Sequence, residues 1–171
     1  RKVGADFLDW LEAPPGLAWV DVGCGNGAFT EEIVARASPS AVTGIDPSPA
    51  QIAYARTRAG AALARFETGD AQALPFKDAA FDVGVMALVI AFVASPLKAV
   101  QELRRVVGRG GLVATYMWDL PAGGVPTSPF YRTLKGMGID AAQPQSAEVS
   151  RREALEAVWR EAGLKNVETR T

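Results

Sequence analysis

Three glycines and an acid lie close together near the start of the chain. Asp21 is followed by Gly23, Gly25 and Gly27 in the sequence DVGCGNG. Glycines let backbone N–H groups approach a ligand where any Cβ would clash, and a following helix directs its positive end to the same place. This pattern predicts a binding site for a nucleotide-type cofactor.

Two further acids follow candidate strands. Asp46 ends the apolar sequence AVTGID, close to the spacing of about 20 residues expected between a glycine loop and a ribose-binding carboxylate. Asp70, in the sequence GDA, follows a third candidate strand. Because Gly23, Gly25 and Ala28 also satisfy the dinucleotide pattern G-x-G-x-x-[GA], a nicotinamide-dependent oxidoreductase stays open on these residues. Asp21, Gly27 and the GDA sequence count against it.

Taken in order, the motifs resemble those of the class I S-adenosylmethionine-dependent methyltransferases. The resemblance is greatest to the small-molecule branch that includes the ubiquinone and menaquinone biosynthesis methyltransferases, and it covers roughly residues 19 to 118. DVGCGNG matches the family's glycine motif, and IDPS at 45–48 and GDAQALPF at 69–76 are similar to its second and third motifs. FDV at 81–83 is similar to its fourth strand and RGGLV at 109–113 to the turn into its fifth.

The resemblance implies S-adenosylmethionine as the cofactor and S-adenosylhomocysteine as the product. Asp46 is then the acid that binds both ribose hydroxyls, and Asp70 accepts from the adenine amino group while the N–H of Ala71 meets the ring. Met86 and Ala87 are expected to flank the methionine part. The full set of expected cofactor-binding residues is Asp21, Gly23, Cys24, Gly25, Gly27, Asp46, Pro47, Asp70, Ala71, Met86 and Ala87.

Methyl transfer asks little of side chains, because alignment of the acceptor and exclusion of water supply most of the acceleration. The chain has no histidine, whereas many relatives carry a histidine pair at the positions of Ala91 and Phe92. Asp119 is the best candidate for a general base, with Tyr116 and Tyr131 behind it. A turn or capping role for Asp119 fits the sequence equally well. We expect no metal site.

Each predicted site residue also has a structural interpretation. The glycine loop could be only a tight connection, and Asp70 an ordinary turn residue. Asp46 could cap a helix, although Ser48 with the following proline fits that role better and leaves Asp46 for a ligand. Cys24 is typical of a small packing residue. Arg1 is a candidate partner for the cofactor's carboxylate.

Strand and helix patterns alternate along the chain, which predicts an α/β fold with a Rossmann-like, doubly wound, mostly parallel sheet flanked by helices. Strands are expected at Ala18–Val22, Val42–Asp46, Ala64–Thr68, Phe81–Val89 and Leu112–Met117. Helices are expected at Ala28–Ala37, Pro49–Ala62, Pro96–Val107 and Arg151–Ala162, the last opened by a capping box from Ser150 to Glu153. A sixth strand is expected to begin at Asn166–Thr171, so the C-terminal strands of the sheet are incomplete.

Residues 119–149 are rich in Pro, Gly and Ser, and a stretch of that length without regular structure is uncommon in a compact domain unless it is functional. Its place after the fifth strand favours a lid over the acceptor pocket, with an inert surface excursion as the alternative. Within it, Phe130, Tyr131, Leu134 and Met137 fit one or two helical turns.

Composition limits the possible partners. The chain has 171 residues, which suits a single domain (1–171), and we expect it to be part of a longer protein. A net charge of −1 argues against general binding to nucleic acid. One cysteine excludes an internal disulfide, and the uncharged run at 83–97 is too short for a membrane span. The expected partner is a small-molecule acceptor and the expected location cytoplasmic. A cofactor-binding module without transferase activity remains an alternative, and the oligomeric state is not predicted.

Overall fold

A computed structural model of the chain describes residues 2–140, 142 and 144–171. Within them, five strands form one parallel sheet in the order β3-β2-β1-β4-β5. The strands are β1 (Ala18–Val22), β2 (Ala41–Asp46), β3 (Ala64–Thr68), β4 (Phe81–Ala87) and β5 (Val107–Tyr116). The predicted doubly wound α/β fold is confirmed.

Six α-helices accompany the sheet in the described residues: α1 (Lys2–Leu11), α2 (Ala28–Arg36), α3 (Pro49–Ala55), α4 (Pro96–Val106), α5 (Ser128–Gly136) and α6 (Arg152–Glu161). Short 3-10 turns lie at Ala59–Ala61, Ile90–Phe92 and Ala147–Ser150. In α4, the residues Ala99, Val100, Leu103 and Val106 recur at helical spacing and are all buried. Packing of α4 on the sheet removes this apolar stripe from water, which stabilises the contact.

The core has two layers, one on each face of the sheet. Successive residues of β1 point to opposite faces, so Trp19 packs in a cluster with Phe7 of α1 and Ile33 of α2, while Val20 packs with Leu103 of α4. Helices therefore cover both faces of the sheet. We did not predict α1, whose two aspartates and glycine obscure its apolar face.

The chain reverses its direction of travel across the sheet after β3. The first three strands run outward from β1 to one edge, and β4 then returns to the other side of β1. In open α/β sheets a ligand binds at the carboxyl ends of the strands, where the order reverses. The topology therefore predicts a ligand site beside the loops that follow β1 and β4.

Two predicted helix features differ from the structure. The helix expected over 49–62 ends at Ala55, and beyond it the Arg56 side chain donates to the carbonyl of Phe66 at 2.7 Å and Arg58 forms an ion pair with Glu31. The capping box expected at Ser150 is wrong. The Oγ of Ser150 donates to the carbonyl of its own 3-10 turn and accepts from a loop N–H instead of capping α6.

Two predicted strand features differ as well. β5 begins at Val107, five residues before the expected start, and its ladder with β4 contains a register shift. The expected strand at 166–171 is not formed. A strand needs a neighbour to pair with, and these residues instead turn back on α6, where the Thr169 hydroxyl donates to Glu156 at 2.7 Å. No helix in the described part of the chain is long and apolar enough to cross a membrane.

Candidate functional site

A cleft of about 620 Å³ lies at the carboxyl ends of the strands, within the range typical of small-molecule sites. Loops after β1, β2, β3 and β4 meet there. Six residues that the sequence predicts for cofactor binding line it: Gly23, Gly25, Asp46, Pro47, Asp70 and Ala71. Of the other lining residues, Gln145 belongs to the predicted lid at 119–149, and the rest had no predicted cofactor-binding role: Gln51, Gly69, Gln72, Leu88, Val89, Phe92, Val93 and Ala94.

The glycine loop has the conformation that its residue types predict. Gly23 and Gly25 have φ angles of +75° and +52°, in the region that favours glycine. A Cβ on Gly23 would lie 2.5 Å from the methyl carbons of Val89, so packing forbids a side chain there. A Cβ on Gly25 would meet no atom of the described residues within 4 Å, its two chain neighbours aside. Since Gly25 lines the cleft, the space above it is room for a ligand.

The carboxylate of Asp46 joins two loops. Its Oδ2 accepts the backbone N–H of Gly25 at 2.9 Å, and its Oδ1 accepts that of Ser48 at 2.9 Å. Ser48 in turn caps α3, because its Oγ accepts the N–H of Gln51 at 3.4 Å. A carboxylate has about four acceptor positions, so Asp46 retains capacity for two ligand hydroxyls.

Asp70 lies exposed at the opposite rim of the cleft. Its Oδ1 accepts the N–H of Gln72 at 2.8 Å, which is the local turn that an aspartate at this place favours. The neighbouring Ala71 is buried and lines the cleft. The turn interpretation and the binding interpretation of Asp70 are therefore compatible.

Asp21 lies beneath the glycine loop and is completely buried. Its Oδ2 accepts the hydroxyl of Thr30 at 2.6 Å, while its Oδ1 has no hydrogen-bond partner among the described residues. Burial raises the pKa of Asp21 to about 7, the Thr30 hydrogen bond lowers it in part, and the charge of Asp46 raises it further. Asp21 is thus a buried acid directly under the site.

Cys24 and Gly27 lie within the same loop but do not line the cleft. The thiol of Cys24 packs against Phe66 and Ile52, and burial, with the charges of Asp21 and Asp46, raises its pKa well above the usual range. A thiol held in this way is a packing group, because only the thiolate is nucleophilic. Gly27 occupies the position just before α2.

The loop after β4 forms the apolar end of the cleft. Met86 is fully buried in the core, and the cleft is lined by Leu88 and Val89, beyond the predicted Met86 and Ala87. Leu88 has φ +62°, an uncommon value for a branched side chain, and its N–H donates to the carbonyl of Tyr116 at 2.9 Å. Strained backbone of this kind clusters at functional sites.

The last part of the predicted lid is fastened to that loop. Three consecutive carbonyls, those of Ala91, Phe92 and Val93, accept hydrogen bonds from Gln145 and Ser146. The Ser146 N–H and Oγ reach the first and third at 3.0 and 2.8 Å, and Gln145 Nε2 reaches the second at 2.8 Å. No short motif marks this contact, which joins residues more than fifty positions apart. We call residues 144–146 the strap.

The middle of the predicted lid is a helix that exposes apolar side chains to solvent. α5 forms where one or two helical turns were expected, and it buries none of its residues. Phe130 is 61% and Met137 68% exposed. Ala141 and Gln143 of this segment lie outside the described residues, as does Arg1, the predicted partner for the cofactor's carboxylate.

None of the three candidate bases lines the cleft. Asp119 is exposed and its Oδ1 accepts the N–H of Ala122 at 3.0 Å, as a turn residue does. Tyr116 packs against Phe7 with ring centroids 4.8 Å apart, and burial raises its pKa to about 12. Tyr131 lies on α5. The described residues contain no cluster of three or more metal-ligand side chains.

Comparison with known proteins agrees with this geometry. Residues 20–115 match the family model described as a methyltransferase domain. The chain is 35% identical over 124 residues to the ubiquinone/menaquinone biosynthesis C-methyltransferase UbiE of Ruegeria sp., covering 70% of this chain and 50% of that protein. It spans between 33% and 50% of the length of that protein and two other curated relatives that it matches.

The solved structures that are similar to this chain include a methyltransferase and a cyclase. One is a SAM-dependent methyltransferase from Thermotoga maritima, described as a possible histamine N-methyltransferase, with 25% identity, a TM-score of 0.69 and coverage of 94% of this chain and 69% of that one. The other is the [4+2]-cyclase SpnF, with 28% identity, a TM-score of 0.59 and coverage of 66% and 43%. The motifs, the parallel sheet and the family match together show that this chain belongs to the class I S-adenosylmethionine-dependent methyltransferases.

Proposed function

We propose that this chain binds S-adenosylmethionine in the 620 Å³ cleft and transfers its methyl group to a small-molecule acceptor. The observation that carries the proposal is the pairing of Asp46 with Gly25. The carboxylate of Asp46 has free acceptor positions for the hydroxyls of a ribose. It lies beside Gly25, where the absence of a side chain leaves space for the rest of the cofactor.

The adenosine end is assigned to the side of the cleft formed by β2 and β3. Asp46 accepts from the ribose hydroxyls, Asp70 accepts from the adenine amino group, and the N–H of Ala71 meets the ring edge. Charge-assisted hydrogen bonds of this kind contribute roughly 1.5–3 kcal/mol each. Pro47 packs beside Asp46 on the same wall.

The methionine end is assigned to the glycine loop and the loop after β4. Gly23 and Gly25 allow close approach, and Leu88 and Val89 exclude water there. Asp21 lies beneath with one carboxylate oxygen unpartnered among the described residues, so its ionised form adds negative potential on the side where a cationic ligand group would lie, and such a group would favour that form. Met86 supports this wall from the core, and Ala87 is half-buried at the end of β4.

The acceptor end is assigned to the apolar rim formed by Phe92, Val93 and Ala94 together with the strap residue Gln145. When bound, the cofactor supplies an electrophilic methyl group, so the protein's share is to align the acceptor and exclude water. We propose that residues 119–149 cover this end, since α5 presents exposed apolar side chains and the strap holds the segment beside the cleft. Asp119 could act as a base only if the segment moved it inward.

Parallel calorimetric titrations with S-adenosylmethionine, S-adenosylhomocysteine and NAD test the cofactor assignment. Micromolar binding of the two sulfur nucleosides without binding of NAD is the expected result. If neither sulfur nucleoside bound to a folded chain, that result would contradict the cofactor assignment. A screen of phenols, amines and quinols for methyl transfer then tests the activity.

Two observations bear on a second function, cofactor binding without methyl transfer. The similar structure named as a [4+2]-cyclase shows that a related chain carries a name other than methyltransferase. The positions where many relatives carry histidines are Ala91 and Phe92 here. Cofactor binding with no methyl transfer to any acceptor in the screen would favour a cofactor-binding module that lacks transferase activity.

A further inference from the structure

Gln72 bridges two elements at the adenine side of the cleft. Its Oε1 accepts the backbone N–H of Ser95, the residue before α4, at 2.9 Å. Its Nε2 lies 3.3 Å from Oδ1 of Asp70 and 3.4 Å from Oδ2. Because an amide oxygen only accepts and an amide nitrogen only donates, a single orientation of the side chain serves both contacts.

We propose that Gln72 is a positioning residue that holds Asp70 in place for the adenine amino group. The proposal rests on the assignment of Asp70 in the proposed function. Asp70 is exposed, so without a partner its side chain would sample several rotamers. The N–H and Nε2 of Gln72 both converge on Oδ1, whereas Oδ2 has only the longer contact and remains available to a ligand.

The anchor of this arrangement is α4. Ser95 immediately precedes the helix, so Gln72 ties the Asp70 turn to a rigid element whose inner face is buried in the core. An acceptor oxygen at a helix N-terminus is also favoured by the helix dipole. Movement of the turn relative to the sheet is therefore restricted at the residue two positions after Asp70.

A separate anchorage holds the rest of the same loop. Glu102 of α4 accepts the N–H of Leu74 at 2.8 Å, and Arg105 donates to the carbonyls of Leu74 and Phe76 at 2.9 and 2.7 Å. These contacts do not involve Gln72. Substitution of Gln72 should therefore loosen the Asp70 turn while the loop and the fold remain in place.

Two substitutions separate the contacts. Gln72→Met keeps the length of the side chain and removes both polar contacts. Gln72→Glu keeps an oxygen for the N–H of Ser95 but lacks the amide donor. We expect Gln72→Met and Gln72→Glu each to weaken binding of S-adenosylhomocysteine about three- to tenfold, because both lose the amide donor to Asp70 and Gln72→Glu also places a second negative charge beside that carboxylate.

The readout that a general loss of structure would not produce is base discrimination. S-inosylhomocysteine carries a carbonyl acceptor in place of the adenine amino group, so it offers Asp70 no donor at that position of the ring. Gln72→Met should reduce the ratio of the two affinities, and Asp70→Asn should reduce it further. The matched controls are Gln101→Met and Gln101→Glu on the exposed face of α4, which should change neither affinity nor ratio.

The outcomes are distinct. An unchanged ratio in Gln72→Met, with the ratio lost in Asp70→Asn, would overturn the role of Gln72 and leave the proposed function intact. Equal weakening of both ligands by Gln72→Met would also overturn it, since that result indicates only a looser cleft. No binding of S-adenosylhomocysteine to the wild-type chain would overturn the proposed function and this inference with it.

Discussion

The carboxylate of Asp46 accepts the backbone N–H of Gly25 at 2.9 Å, across 21 positions of the chain. The end of β2 therefore sets the shape of the loop that follows β1. Since the same carboxylate also accepts from Ser48, it organises both sides of the cleft before any ligand arrives. A preorganised site loses less affinity to the ordering of its own groups.

Asp46→Ala should weaken binding of S-adenosylmethionine at least about tenfold, because it removes the proposed ribose contacts and frees the glycine loop. Calorimetric titration measures the effect, and circular dichroism checks that the chain remains folded. Asp6→Ala, on the exposed face of α1, is the control and should bind as the wild type does. Unchanged affinity in a folded Asp46→Ala variant would refute the assignment.

Gly25 and Gly23 should respond differently to substitution. Gly25→Val places a side chain in the open space above the loop, so we expect loss of ligand binding with a stability cost of about 1–2 kcal/mol from the left-handed backbone. Gly23→Ala collides with Val89 and should lower the melting temperature more. Thermal unfolding with and without S-adenosylhomocysteine separates the two effects. Equal melting temperatures for both variants would contradict this prediction.

Asp21 should make the stability of the free protein depend on pH. Burial raises its pKa from 3.8 to about 7, so between these values the folded state binds more protons than the unfolded state. The contribution of Asp21 to the free energy of unfolding therefore falls as pH rises from about 4 to about 7 and is constant above. Asp21→Asn removes this dependence and keeps an oxygen for the Thr30 hydroxyl.

Denaturant unfolding of the wild type and Asp21→Asn at pH 4.5 and pH 8 checks this result. The variant should gain stability relative to the wild type at the higher pH, because the wild type must then ionise a buried carboxyl or unfold. Comparing the two chains cancels the titration of the other groups. A difference that does not change with pH would show that Asp21 titrates normally.

Arg105 should stabilise the fold even though it lies at the end of a surface helix. Its guanidinium reaches the carbonyls of Leu74 and Phe76 and pairs with Glu102 and Asp78. The hydrogen bond from Arg105 also lowers the pKa of Glu102. Arg105→Met should lower the free energy of unfolding by about 1–3 kcal/mol.

Arg105→Lys should recover only part of that loss, because an ammonium does not reproduce the fork that serves both carbonyls. Arg152→Met is the control, since Arg152 is exposed and its one ion pair among the described residues is a 3.4 Å contact with its neighbour Glu153. The midpoint of urea unfolding is the measurement. A loss of the same size in both methionine variants would refute a specific role for Arg105.

The strap should protect the rim of the cleft. Ser146→Ala combined with Gln145→Ala removes two of the three hydrogen bonds to the loop after β4, so amide hydrogen exchange in residues 90–94 should become faster. Affinity for S-adenosylhomocysteine should fall by a smaller factor than in Asp46→Ala. Ser128→Ala, on α5, is the control for the rest of the segment. Unchanged exchange at the rim would contradict the strap's role.

Local signals in the sequence predicted much of this molecule. The DVGCGNG motif identified the glycine loop, and Ser48 before a proline identified the start of α3. Alternating apolar segments identified the five strands and the parallel sheet. These features depend on residue type and short spacing, because steric limits on φ, helix capping and the periodicity of burial act within a few residues.

The rest depended on contacts between distant residues. Leu88 and Val89, rather than Met86, line the cleft because β4 ends where the ladder with β5 places it, and Gln145 reaches Phe92 across 53 positions. Arg105 can donate to the carbonyl of Phe76 only because the loop after β3 lies against α4. No local pattern records which distant carbonyl a side chain will meet. That choice is made when the helices pack on the sheet, so only the tertiary structure decided it.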